Sequence, residues 1–225
     1  MKIRIAIDGP SGSGKSTLAK NLAREMGLVY VDTGALYRSV GLYVKRRGVE
    51  PTAGLQVGAL LPEINLELAY TDAGQRVILN GEDVSDLIRT NEISMYASAV
   101  SAIPTVRKFL LEIQKKMALD GNVVMDGRDI GTVIMPDADV KLFLESNSMA
   151  RARRRYEELI AKGQTCTEEE VYSDMVKRDK NDSTRETAPC IPADDAVFID
   201  NSEMTPEETL SHAIGIIKEK LKRMV

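Results

Sequence analysis

Apolar runs of strand length recur at residues 3–8, 28–32, 123–126, 140–144 and 196–200. Between them, longer stretches repeat apolar residues at helical spacing, notably 15–26, 36–47, 105–119, 150–162, 168–180 and 206–224. Strands alternating with helices of this length predict an α/β fold, with a parallel sheet covered by helices on both faces. Residues 66–81 break the rhythm. Leu66-Glu67-Leu68-Ala69-Tyr70, the polar Thr71-Asp72-Ala73-Gly74, and then Gln75-Arg76-Val77-Ile78-Leu79-Asn80-Gly81 predict an antiparallel hairpin, a small β insertion in the α/β domain. Four of the five strand-like runs end in aspartate, at Asp8, Asp32, Asp126 and Asp200. Ligands of open parallel sheets gather beyond the carboxyl ends of the strands, so these aspartates point toward a site.

Composition narrows the class. The 225 residues are 43% apolar and 28% charged, enough for one compact domain with insertions or two small ones, each with a real core. No apolar run approaches the roughly 18–20 residues that a membrane-spanning helix needs. The first eight residues alternate apolar and charged positions, unlike a secretory leader, and predict a cytoplasmic protein. Cys166 and Cys190 stand apart from histidine and from each other, which leaves a disulfide framework or zinc site unsupported. His212, the single histidine, falls in the last predicted helix, away from every motif. A net charge of -4 excludes general affinity for nucleic acid, since a phosphate-backbone binder needs a basic surface.

The densest chemistry lies at residues 9–17, Gly9-Pro10-Ser11-Gly12-Ser13-Gly14-Lys15-Ser16-Thr17, which contain G-x-x-x-x-G-K-[ST] between a predicted strand and a predicted helix. The three glycines permit a tight loop with inward-facing backbone N–H groups, and the following helix adds its positive end. Lys15 supplies a point charge for the outer phosphates, and the Ser16 hydroxyl can complete the shell of a Mg²⁺ ion. The loop predicts a purine nucleoside triphosphate. A GTPase would also carry D-x-x-G and N-K-x-D, and neither occurs. A motor would need far more chain. Transfer of the γ-phosphoryl group to a small acceptor remains, and it demands a second anionic pocket.

Arginines at element ends are candidates for that pocket: Arg38, Arg107, Arg128 and Arg185. Arg151, Arg153, Arg154 and Arg155 crowd one short stretch, with Arg151, Arg154 and Arg155 on one helical face. Like charges so close repel unless an anion sits among them, so this segment reads as a lid over the transferring phosphate. Glu157 and Glu158 nearby offer the plainer reading of a paired basic face. Asp126 is placed like a carboxylate that orients Mg²⁺ through water.

The four segments Ile7–Ser16, Asp32–Arg38, Asp126–Thr132 and Arg178–Arg185, taken in order, closely resemble the bacterial cytidylate kinases, and the resemblance runs the whole chain. It implies a five-stranded parallel sheet within a single phosphate-loop kinase domain. The core would be residues 1–34, 105–147 and 186–225, the monophosphate-binding region with the β insertion 35–104, and the lid 148–185. It implies transfer of the γ-phosphoryl group of ATP to CMP or dCMP with Mg²⁺, in a protein that acts as a monomer. Thr33, Arg38, Arg128 and Arg185 would hold the acceptor's phosphate, Ser98, Arg107 and Asp129 the cytosine edge, and Asp182 the ribose. Lys15, Arg128, Arg185 and Asp126 would carry catalysis, with Arg151, Arg154, Arg155 and Arg178 on the ATP side. Lys180 and Asn181 stand where the family often has another arginine, implying an ATP-side grip weaker there or shared with Arg178. Two other readings stay open on the residues alone. One is a kinase for UMP, AMP or a sugar acid, and the other a regulatory or RNA-associated protein that binds nucleotide without turnover.

Overall fold

The computed structural model describes residues 2–71, 74–119, 121–161 and 163–223. In chain order its strands and helices are β1 (Arg4–Asp8), α1 (Lys15–Met26), β2 (Val29–Asp32), α2 (Thr33–Arg46), α3 (Gly54–Leu60), β3 (Leu66–Thr71), β4 (Gly74–Leu79), β5 (Glu82–Asp83), α4 (Asn91–Ser101), α5 (Pro104–Leu119), β6 (Val123–Gly127), β7 (Val140–Glu145), α6 (Ser148–Ala161), α7 (Glu168–Thr184), β8 (Val197–Asp200) and α8 (Pro206–Lys222). They fall into two compact units, Met1–Tyr30 with Asp120–Val225, and Val31–Leu119.

The predicted parallel sheet is present, with five strands in the order β2-β6-β1-β7-β8. β1 lies at the centre, where Ile7 is opposite Asp126 on one side and Leu142 on the other. Ile5 and Ile7 are wholly buried and pack with Leu18, Leu22, Val124, Leu142, Ile199 and Ile217 in the first unit's core. Burying each such side chain contributes about 1.5–3 kcal/mol. The capping box of Thr205 and Glu208, with Pro206 in the first turn, starts α8. A smaller cluster of Ala152, Leu159, Val171 and Met175 joins α6 to α7.

The second unit has its own core, in which Leu36, Val40 and Val44 of α2 pack with Val57, Val77, Ile88, Val100, Val106 and Leu110. The predicted hairpin is there as β3 and β4, paired from Leu66–Leu79 to Thr71–Gly74. Asp72 and Ala73 of its predicted turn lie outside the described residues, as do the predicted helix ends Lys162 and Met224. A third short strand, β5, extends the hairpin into a three-stranded sheet.

Several boundaries depart from the pattern for identifiable reasons. α2 starts three residues before the expected position 36, because the Asp32 carboxylate caps it, accepting from Ala35 N–H at 3.0 Å. α7 runs on to Thr184 instead of ending at 180, so most of the Arg178–Arg185 segment is helical; the Ser183 and Thr184 hydroxyls bond back to the Lys180 carbonyl. α3 was not expected as an element. α3 has only seven residues, two of them glycine, and α4 is dominated by small and hydroxyl side chains around its Thr90 cap.

Candidate active site

The phosphate loop leaves β1 at Gly9, whose φ is 145° and where a Cβ would stand 2.2 Å from the Leu144 carbonyl oxygen, so no side chain fits. The loop closes at Gly14, which begins α1 in the left-handed region with φ 87°. Lys15 turns back across it, donating from Nζ to the Pro10 carbonyl at 2.5 Å and to Ser13 Oγ at 3.2 Å. Burial, and next the Arg128 guanidinium, bring its ammonium down to about 7. Asn201, beyond β8, donates from Nδ2 to the Ser13 carbonyl at 2.9 Å.

Beyond the loop, Asp126 at the end of β6 accepts from Ser16 Oγ and from the Tyr30 hydroxyl, each at 2.8 Å. A hydroxyl and a carboxylate so close are hard oxygen donors, and Mg²⁺ keeps several waters and needs few protein ligands, so this pair fits that ion.

Asp8, at the end of β1, is a second buried carboxylate. Its two oxygens accept the backbone N–H groups of Ile130 and Gly131 at 2.8 and 2.7 Å, tying the turn after Asp129 to the strand before the loop. Burial, opposed by those N–H groups and abetted by Asp129, pushes Asp8 up to about 7. Its folded form therefore holds a proton that the unfolded form releases near pH 4, and the stability this group contributes falls as pH rises from about 4 to about 7. Three units correspond to a loss of up to about 4 kcal/mol. Urea unfolding at a series of pH values is expected to show that decline, and Asp8→Asn to flatten it; an unchanged slope in the variant would assign the decline to other groups.

Arg128 donates from Nε to Asp182 at 2.8 Å, and Arg185 sits 3.7 Å from both Asp182 and Asp129. Burial works against both charges of the first pair, yet each holds the other ionised: Arg128 is raised, and Asp182 is lowered by Arg128 and next by Arg178. The structure thus gathers Arg128, Asp129, Arg178, Asp182 and Arg185, drawn from two distant segments, into one charged cluster within the first unit.

On α6, protein groups answer each of the four clustered arginines. Arg151 pairs with Asp179 at 2.5 Å, and Arg154 donates to the carbonyls of Asn201 and Ser202. Arg153 pairs with Glu157 and Arg155 with Glu158, the plainer of the two sequence readings for that face. Thr17 is exposed on the first turn of α1.

In the second unit, Arg38 donates from Nη2 to Asp32 at 2.7 Å, and the Asp32 backbone N–H donates to Gln75 Oε1 at 2.9 Å. Arg38 Nε and Ser98 Oγ are buried with no hydrogen-bond partner among the described residues. Such atoms cost free energy unless something else satisfies them. Thr33 is buried at the start of α2. Arg107 is buried too, donating to the Ser101 carbonyl at 3.3 Å and lying over the Tyr37 ring at 5.5 Å.

The sequence reading missed Tyr30, Asp179 and Asn201 as site residues. Asp179 lay within a quoted motif and Tyr30 in a predicted strand, whereas nothing local in the sequence joins Asn201 to a loop 188 residues earlier.

The family model described as Cytidylate kinase matches residues 5–219. The chain belongs to the cytidylate kinase family. Within that family it is 47% identical over 222 residues to the cytidylate kinase of Fervidobacterium nodosum, covering 99% of each chain. It is 44% identical over 218 residues to that of Carboxydothermus hydrogenoformans, covering 97% of this chain and 98% of the relative. This cytidylate kinase family member also resembles the crystal structure of a shikimate kinase from Bacteroides thetaiotaomicron, with a TM-score of 0.51 at 15% identity over 97% of this chain and 99% of that one. That likeness shows a shared phosphate-loop kinase fold.

Proposed function

We propose that this protein transfers the γ-phosphoryl group of ATP to CMP or dCMP, giving ADP and CDP or dCDP. The observation that carries the reading is the cytidylate kinase family match over residues 5–219, with the phosphate loop, the Asp126–Asp129 turn and the inserted sheet all inside it.

The acceptor's phosphate oxygen is already anionic at neutral pH, so no base is required. The work is in-line positioning and neutralisation of charge. Lys15 and the phosphate loop of residues 9–17 bind the donor's phosphates, with Arg154, Arg155 and Arg178 on the same side. Thr33, Arg38, Arg128 and Arg185 hold the acceptor's phosphate, and Asp182 binds its ribose while keeping Arg128 and Arg185 in place. Ser98, Arg107 and Asp129 read the base. An ionised Asp129 accepts from cytosine's exocyclic amine, where uracil would present a lone pair against it. Mg²⁺, held by Ser16 and Asp126, supplies further neutralisation of phosphate charge when bound. Residues 148–185 act as the lid and 35–104 as the monophosphate-binding region.

Among the described residues no helix is long and apolar enough to cross a membrane. A cytoplasmic monomer, with no nucleic-acid partner, is the setting we assign. Its support is the pair of free cysteines and the net charge of -4.

ADP formation from Mg-ATP, with CMP, dCMP, UMP, AMP or shikimate supplied separately, tests the assignment. Fast turnover with CMP and dCMP, slow turnover with UMP and none with the others is expected. Turnover only with another acceptor, or with none, would overturn it.

A further inference from the structure

One residue of the phosphate loop is gripped on both its backbone groups. The Ser11 N–H donates to Asp179 Oδ1 at 3.0 Å, and the Ser11 carbonyl accepts from Arg151 Nη1 at 2.8 Å. The same Nη1 lies 2.5 Å from Asp179 Oδ2, so the carboxylate and guanidinium that hold Ser11 also hold each other. Arg151 is fixed from behind as well, donating from Nε to the Ser146 carbonyl at 3.0 Å, and the residue is only 7% exposed. Its partner comes from α7 while it stands on α6 itself, and the two helices are joined by Ala152, Leu159, Val171 and Met175. The next loop residue, Gly12, is enclosed by the same helices: a Cβ there would meet Met175 Cε at 3.0 Å and Arg151 Cβ at 3.4 Å.

A guanidinium with its charge met by a carboxylate and its donors aimed at backbone carbonyls is not a loose cation waiting for phosphate. It is a strut. A loop containing Gly9, Gly12 and Gly14 has much conformational freedom to lose before its N–H groups can converge on an anion. Fixing that loop in advance removes part of the cost from nucleotide binding. We propose that Asp179 is a positioning residue for the donor site, acting through Arg151 and directly on Ser11 to hold the phosphate loop in its binding conformation. Arg151 thereby serves ATP through the loop. The inference rests on the reading of residues 9–17 as the ATP loop.

Two measurements without acceptor test it. Amide hydrogen exchange of the nucleotide-free protein is expected to show residues 9–14 exchanging about tenfold faster in Asp179→Ala, and calorimetry to show Mg-ATP bound about tenfold more weakly, as loss of a charge-assisted contact to a flexible loop implies. Asp179→Asn keeps an oxygen for the Ser11 N–H and is expected to recover most of the loop protection. The KM for CMP should stay within about twofold in both variants, as expected when binding is lost on the donor side alone. Should Asp179→Ala fold poorly, Arg151→Lys, which keeps the charge and loses the fork, is expected to move exchange and ATP binding in the same direction. Unchanged loop exchange in the folded variants would overturn the proposal. So would tighter ATP binding, which would make Asp179 a competitor of the donor's phosphates. Failure of CMP to react would sink the proposed activity and leave the exchange result readable.

Discussion

Lys15→Met is expected to lower kcat/KM by about 10²- to 10³-fold, the usual cost of removing one preorganised charge from a transition state, while raising the melting temperature. Both effects come from one fact. Lys15 is 5% exposed, and burial with Arg128 nearby brings its ammonium down to about 7. Between about pH 7 and its ordinary value the folded protein holds fewer protons there than the unfolded chain, so charging Lys15 costs stability in the nucleotide-free protein. Methionine fills similar space and removes that cost. A polyphosphate restores the charge, so binding Mg-ATP near pH 8 should draw a proton from solution. Calorimetry in buffers of different ionisation enthalpy reads that uptake directly. Loss of uptake in Lys15→Met, with a higher melting temperature, is the expected pattern; full activity in the variant would remove Lys15 from the mechanism.

Asp182→Ala is expected to be the most destabilising change in the charged cluster. Asp182 is 4% exposed and stands among Arg128, Arg178 and Arg185, all of which hold it ionised below the usual carboxylate range despite its burial. That contribution is present above the ordinary carboxylate pKa and is lost as pH falls through the depressed one. Deleting the carboxylate leaves three guanidinium groups short of one acidic neighbour, while Asp129 stays 3.7 Å from Arg185 and Asp179 acts on Arg128. Stranding buried charge in this way costs about 3–5 kcal/mol, and for a chain of this size each kcal/mol is worth roughly 2–4 °C. Thermal melts in buffers with and without inorganic phosphate decide the meaning of the loss. Partial rescue by phosphate is expected, because an oxyanion can replace the missing charge. A loss indifferent to phosphate would make the cluster purely structural.

The parallel sheet was readable because each strand is a short apolar run with a polar end, and four of those ends are aspartates. All four have definite work beyond the strand: Asp8 holds the Ile130–Gly131 amides, Asp32 caps α2 and pairs with Arg38, Asp126 meets Ser16, and Asp200 accepts from the Ser202 N–H and hydroxyl. The phosphate loop was readable because every residue that shapes it is contiguous. The surroundings of Arg151 were not readable, for the opposite reason. Its neighbours in sequence are arginines, whereas its neighbours in space are Asp179, Ser146 and Ser11. α3 escaped notice because it has only seven residues, two of them glycine.

The position of β1 at the middle of its sheet bears on how the molecule comes into being. The second unit is one continuous stretch of chain and can acquire its core as soon as it has been synthesised. The strand that launches the phosphate loop is made before the second unit, yet it waits for β6 and β7 on its two sides, and the Ser13 carbonyl waits for Asn201. Long-range closures of this kind are slow relative to local ones. A nascent chain therefore carries the whole nucleotide signature once residues 9–17 are made but completes the cradle only after residue 201 has emerged. A ribosome-bound series of increasing length, probed for nucleotide-dependent protease resistance, should show that protection arrive as a late step past residue 201, well after the second unit has become resistant on its own.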